Sequence, residues 1–189
     1  LTGEEEATYA AAGVLALDPE ACGVIADFGG GSLELAVVCR GRVTEKVSLP
    51  LGAFRIKSMG GEAEAQISDF LSSYRTKLGG QEALYAIGGA WRALAKAHML
   101  RHGLEQDVQG YAISSSSLVA FCRIIEASPL EILEGRYRLD GHRATLAPVS
   151  AKMLRLLVEN LGLDVFITSQ AGVRDGLVYE FLSSGEKVA

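Results

Sequence analysis

Val24-Ile-Ala-Asp-Phe-Gly-Gly-Gly-Ser-Leu-Glu-Leu-Ala-Val-Val38 puts a carboxylate at the end of one apolar run, three glycines after it, and a second carboxylate in the run that leaves. The residues after the glycines decide the fold. A Walker A loop needs Gly-Lys-Ser/Thr and then a helix, and a dinucleotide fingerprint also opens a helix. Here Leu33, Leu35 and Val37 alternate with Glu34 and Ala36, which is strand periodicity, so the glycines join two strands in a hairpin. Consecutive glycines let backbone N–H groups crowd an anion that a Cβ would hold off, and Asp27 and Glu34 supply hard oxygens of the kind a divalent cation takes. A plain flexible turn is the bland alternative, and a solvated strand-end acid is the same for Asp27.

Outward from this stretch, strands are expected at 23–28, 33–39 and 42–49, with Arg40-Gly41 as a tight turn, giving a three-stranded antiparallel start. Upstream, Thr2 caps a helix rich in acids (Glu4, Glu5, Glu6) that Gly13 and Pro19 close. Downstream come a short helix near 53–59 and an amphipathic one at about 62–77. Ala83–Ile87 is a buried-type strand running through Gly88-Gly89-Ala90 into a helix that ends at Gly103. A short strand at 108–113, helices from 114 to about 127, from 128 to 135 and at about 144–160, a strand at 163–168 and a helix at 173–182 complete the pattern. Strands alternating with helices imply parallel additions to the sheet.

The 189 residues, 49% hydrophobic and 22% charged, suit one α/β domain over 1–189 without low-complexity tracts. A net charge of −5 and the absence of a clustered basic surface argue against nucleic-acid binding. No stretch is long enough to cross a bilayer and no signal peptide opens the chain, so no membrane partner is expected. Cys22, Cys39 and Cys122 are odd in number and widely spaced, which indicates neither a disulfide framework nor a zinc knuckle; a reducing cytoplasm is the expected compartment. The chain does not begin with Met, and a start inside a longer protein is expected.

Asp27-Phe-Gly-Gly-Gly-Ser-Leu-Glu34 resembles the D-x-G-G-G-S-x-E signature of the exopolyphosphatase and guanosine pentaphosphate phosphohydrolase family. Gly3-Glu-Glu-Glu-Ala7 is similar to that family's G-x-E-E-A segment, Ser48-Leu-Pro-Leu-Gly-Ala-Phe-Arg55 to its S-L-P-L-G-A-x-R stretch, and Ala171-Gly-Val-Arg-Asp-Gly176 to its G-x-R-E-G ending. The resemblance implies a ribonuclease-H-like lobe of the actin-like ATPase superfamily, and only the second lobe of two, since the first-lobe D-x-G-S-N-S loop is absent. The missing N-terminal lobe is then the obligatory partner, while homodimerisation stays open. It also implies Mg²⁺-assisted attack of water on terminal phosphoanhydride bonds of inorganic polyphosphate or guanosine pentaphosphate. A sensor that binds such anions without turnover is the alternative.

Position by position, the resemblance makes Glu6 the acid that orients or deprotonates the attacking water, with Glu34 sharing that task. Asp27 and Glu34 would hold Mg²⁺, and Gly29, Gly30, Gly31 and Ser32 would bind phosphate oxygens. An ordinary acidic first helical turn is the other reading of Glu6. Gly88, Gly89 and Arg92 stand at a strand-to-helix junction that favours anions, or else mark tight helix–sheet packing. The family commonly has Thr where Ala90 stands, which removes a hydroxyl contact. Arg174 has a similar setting, or is a salt-bridge partner. His98 and His102 lack the Glu of a metalloprotease helix and suit a helix C-terminus instead. His142, beside Arg136, Arg138 and Arg143, belongs to a basic loop able to meet the tail of a long anion.

Overall fold

The computed structural model describes residues 1–183, so the last six positions of the expected 1–189 domain lie outside the described residues. Strands β1 (Cys22–Phe28), β2 (Leu33–Cys39) and β3 (Arg42–Leu49) form the antiparallel start, and Arg40 and Gly41 turn the second hairpin with φ of 49° and 74°. β4 (Ala83–Ile87) adds to β1 in parallel and β6 (Val165–Thr168) adds to β4 in parallel. β5 (Ala112–Ser114) closes the edge antiparallel to β6, giving the order β3-β2-β1-β4-β6-β5. The expected strand at 108–113 is thus displaced to 112–114, and Gly110 at φ 70° turns the chain into it.

The central strands are apolar on both faces because each face meets helices. Val24, Ala26, Leu84 and Ala86 pack toward α3 (Ala63–Leu78), α4 (Gly89–Arg101), α5 (Ser115–Ala127) and α7 (Gly141–Leu161). Ile25, Ala36, Val38, Tyr85 and Ile87, the alternate residues, pack with Ala10, Ala11 and Val14 of α1 (Gly3–Leu17). α2 (Ala53–Met59), the 3₁₀ turn at Gly60–Glu62 and α6 (Leu130–Gly135) are short connections.

Helix α1 opens with the anticipated box: Glu5 N–H donates to Thr2 Oγ1 and Thr2 N–H to the Glu5 carboxylate. It does not stop at Gly13. The glycine lies inside the helix because α8 (Val173–Ser183) crosses there, and a Cβ on Gly13 would stand 2.5 Å from the Gly172 carbonyl oxygen. A Cβ on Gly176 would strike the Tyr9 carbonyl from the other side. Gly13 and Gly176 therefore serve helix–helix approach, while Arg174 is exposed.

The cysteine expectation is corrected. Antiparallel pairing of β1 with β2 sets Cys22 opposite Cys39 with Cα atoms 4.0 Å apart, and the two form a disulfide, while Cys122 is free and buried. Seventeen residues of separation vanish once a hairpin folds them together, so cysteine spacing carries no inference about compartment. Among the described residues no helix is long and apolar enough to cross a membrane.

Leu154-Arg155-Leu156 puts a cation into the apolar face of α7, and carboxylates from two other helices converge on it. Arg155 Nε donates to Glu126 at 2.8 Å, and Nη1 and Nη2 reach Glu159 and Glu64 at 3.0 Å each, joining α7 to α5 and α3. Removing one partner of such a cluster leaves uncompensated charge, so Arg155→Ala is expected to lower unfolding free energy by about 3 kcal/mol in urea titrations. The Arg155 hydrogen bonds hold the Glu64 carboxyl below its ordinary value. A carboxylate depressed in the folded state stabilises above its unfolded value and ceases to as acid protonates it. The stability gap between wild type and Arg155→Ala should therefore narrow as pH falls below about 4.

Candidate functional site

The glycine loop between β1 and β2 is shaped by what its carbonyls do. Ala53 N–H donates to Gly29 O at 3.0 Å, Phe54 N–H to Gly30 O at 3.0 Å and Gly52 N–H to Gly31 O at 3.2 Å. The first turn of α2, whose amides lack intrahelical acceptors, is thereby satisfied by three successive loop carbonyls. In a trans peptide the C=O of one residue and the N–H of the next point in opposite directions. Turning the carbonyls of 29–31 onto α2 therefore turns the amides of Gly30, Gly31 and Ser32 away from it. No hydrogen bond among the described residues engages those three amides. The Gly29 N–H, by contrast, closes the turn on Ser32 O at 3.1 Å, so the donor set begins at Gly30. Space for this arrangement comes from Gly52, where a Cβ would collide with the backbone of Gly31.

Two carboxylates flank the loop. Asp27 and Glu34 are direct partners in the β1–β2 register, so their side chains share one face of the sheet. Glu34 is buried and accepts from Ser48 Oγ at 3.0 Å. Burial raises its carboxyl above the ordinary range, and hydrogen bonds from the Ser32 and Ser48 hydroxyls oppose the rise. The Asp27 carboxylate takes part in no hydrogen bond among the described residues; burial, then the charges of Glu34 and Glu6, push it up to about 6 against a partial pull from Arg92. Glu6, half-buried one turn into α1, lies near enough for its charge to act on both without joining them in a single ligand group.

The second rim is the β4–α4 junction. Gly88 adopts φ 105°, and a Cβ there would stand 3.2 Å from Phe28 O and 3.4 Å from Asp27 Oδ1, so this glycine serves close packing beside the acid. Gly89 has open space around it at the start of α4. Beneath, Phe28 stacks on Trp91 with centroids 5.2 Å apart, and Trp91 Nε1 donates to Ser150 O, fixing the floor to α7. Arg92 reaches Gln170 O at 3.3 Å. From Gly89 and Arg92 a cleft of about 420 Å³ runs along α4, with Lys96, Arg138 and Arg143 on its walls.

A divalent cation fits this donor set in a specific way. Asp27 is a half-buried carboxylate without a hydrogen-bond partner among the described residues, beside the buried Glu34, and a cation would offset the cost of their desolvation. Among the described residues no group of three or more His, Cys, Asp or Glu side chains gathers to form a cage. Two carboxylates with the remaining positions left to water and phosphate oxygens match Mg²⁺.

The histidines lie elsewhere. His98 is buried with Nδ1 2.8 Å from Tyr111 Oη and Nε2 3.2 Å from Ser117 Oγ, so both nitrogens are engaged and zinc has no ligand there. Burial, aided by His102 and Arg101, lowers its pKa to about 4, which makes it a neutral core residue and not a charged helix-end one. His142 stands 5.8 Å from the Phe54 ring, across the loop from the acids. Ser48 is the site residue that residue-by-residue reading of the sequence passed over. Its only sequence signal was its place at the head of the 48–55 segment.

The Ppx/GppA phosphatase family model matches residues 1–185. Among solved structures, an Aquifex aeolicus member of the Ppx/GppA protein family superposes with a TM-score of 0.78 at 22% identity, covering 97% of this chain and 64% of that one. An exopolyphosphatase from Cytophaga hutchinsonii gives 0.83 at 16% identity, covering 97% and 65%. The chain therefore spans less than two thirds of the length of these structures, and at such identities the likeness is one of fold. No curated protein matches the chain.

Gly52→Ala is expected to destabilise the protein by roughly 1–3 kcal/mol and to weaken orthophosphate binding, because its Cβ displaces the loop, whereas Gly31→Ala, with open space at that position, leaves thermal stability nearly unchanged. Asp27→Asn should stabilise the metal-free protein at pH 7–8 by roughly 2 kcal/mol, allowing for partial exposure. A carboxyl whose folded pKa is raised costs stability above that pKa and nothing below its unfolded one, so the gain should vanish in melts below about pH 4.

Proposed function

The chain belongs to the Ppx/GppA phosphatase family, and from that premise we propose that it is one lobe of a hydrolase that removes terminal phosphates from inorganic polyphosphate or guanosine pentaphosphate, with Mg²⁺. The observation that carries this reading is the orientation of the 30–32 amides beside three carboxylates, Asp27, Glu34 and Glu6. Phosphoryl transfer asks little covalent work of a protein. It needs an anion held in line with a positioned water, and its developing charge met.

In this reading the amides of Gly30, Gly31 and Ser32 and the open helix start at Gly89 hold the terminal phosphate. Asp27 and Glu34 would hold the cation, which when bound neutralises phosphate charge. Glu6 orients the water and accepts its proton at a carboxylate oxygen. A carboxylate is a weak base in water, and closure by the lobe that faces this one supplies the desolvation that strengthens it. The rest of the anion runs along the cleft, with Arg92, Lys96, Arg138 and Arg143 meeting successive charges. Catalytic water, metal and phosphate must lie between two lobes, so residues 1–189 alone are expected to turn over poorly.

The test is phosphate release by the full-length protein from polyphosphate and from guanosine pentaphosphate, with and without Mg²⁺. Glu6→Ala is expected to lower kcat by on the order of 10²-fold or more with KM little changed. Arg138→Ala with Arg143→Ala should raise KM for long anions while kcat persists. Tight binding of guanosine tetraphosphate with no phosphate released from any anhydride would replace the hydrolase with a sensor.

A further inference from the structure

Helix α1 is seated on the outer strand by one hydrogen bond and one close approach on the same face of β3. Lys46 Nζ donates to Thr8 Oγ1 at 3.0 Å, and two residues along, Ser48 lies under the first turn of the helix at Gly3. A Cβ on Gly3 would collide with both Cβ and Oγ of Ser48 and come within 3.9 Å of Glu34 Oε1. Ser48 is also the direct cross-strand partner of Glu34, and its hydroxyl donates to Glu34 Oε1 at 3.0 Å. One half-buried hydroxyl thus touches the two elements that bring acids to the site: β2 with Glu34, and α1, where Glu6 follows Gly3 by one turn.

We propose that Ser48 is a positioning residue for the hydrolytic site, fixing the orientation of the Glu34 carboxylate and the distance between Glu34 and Glu6 through its contact with Gly3. This rests on the hydrolase reading above. The Ser48 proton occupies one acceptor site on Glu34 Oε1 and so helps to set which of the carboxylate's remaining lone pairs face metal or water. Without the Ser48 hydroxyl, the carboxylate loses one of its anchors and α1 can settle onto the vacated volume, moving Glu6. Misplacement of about an ångström costs a positioned reaction orders of magnitude while leaving substrate affinity, which comes from the amides and the basic cleft, largely intact.

The experiment uses the full-length protein and compares Ser48→Ala with Lys46→Ala. The lysine variant removes the other α1–β3 contact without touching Glu34. Ser48→Ala is expected to lower kcat at least tenfold with KM within about twofold, and to raise the Mg²⁺ or Mn²⁺ concentration giving half-maximal binding by on the order of tenfold in substrate-free calorimetry. Lys46→Ala should keep the wild-type kcat, and both variants should give cooperative melts. Equal slowing in both variants would reduce Ser48 to a seat for the helix, and an unchanged kcat in a folded Ser48→Ala protein would overturn the proposal outright. Wild-type protein that binds guanosine tetraphosphate yet releases no phosphate would instead sink the hydrolase reading, and this proposal with it.

Discussion

The three hydrogen bonds from Gly52, Ala53 and Phe54 to the carbonyls of Gly31, Gly29 and Gly30 are the constraint on which the site depends. A run of glycines has no preferred conformation and loses more entropy on ordering than any other sequence. Docking the run onto a helix start resolves two shortages at once: the helix lacks acceptors and the loop lacks order. The peptide geometry then aims the amides of 30–32 without any side chain. It also explains why a seven-residue helix of little intrinsic stability is retained there, since its role is to hold the loop's back.

The acids are placed by a different principle. Asp27 and Glu34 face each other because the loop closes a hairpin in register, and Glu6 joins them because α1 lies across β2 and β3. Burying carboxylates together is unfavourable, and the raised pKa of Asp27 expresses that cost. The fold carries it through a sheet packed on both faces and through clusters such as the Arg155 network, where charge is fully met. The frustration is confined to the rim where an ion and an anion would relieve it.

Much of this architecture is legible in the residues alone. Alternation at Leu33, Leu35 and Val37 fixes the hairpin, and with it the mixed sheet; Ala83–Ile87 followed by Gly88-Gly89 gives the β-turn-α unit. Long-range proximity is not legible. Cys22 and Cys39 look remote until the hairpin register is known, and nothing local signals that α8 will cross α1 at Gly13 and Gly176. Local rules read Gly13 as a helix end, when its function, like that of Gly176, is to let backbones touch. Arg155 is visible as a charge in an apolar run, but three converging helices are needed to identify its partners.

The same limit bears on the glycines at the site. Read locally, Gly29, Gly30, Gly31, Gly52, Gly88 and Gly89 are equivalent flexible residues, yet the structure divides their labour. At Gly52 backbone lies where a Cβ would be, and at Gly88, whose φ is 105°, a Cβ would press on the Phe28 carbonyl, whereas Gly31 and Gly89 border open space. Gly30 is intermediate, with the exposed Phe54 ring 2.7 Å from its ideal Cβ position. A glycine that must be small for packing tolerates no side chain at any ligand occupancy. One that borders empty space, as Gly41 and Gly110 do, is required there by a positive φ and not by a neighbour. Gly31 and Gly89 have neither a positive φ nor a close neighbour, so the open volume beside the same acids is room that the phosphate of the proposed reaction would fit.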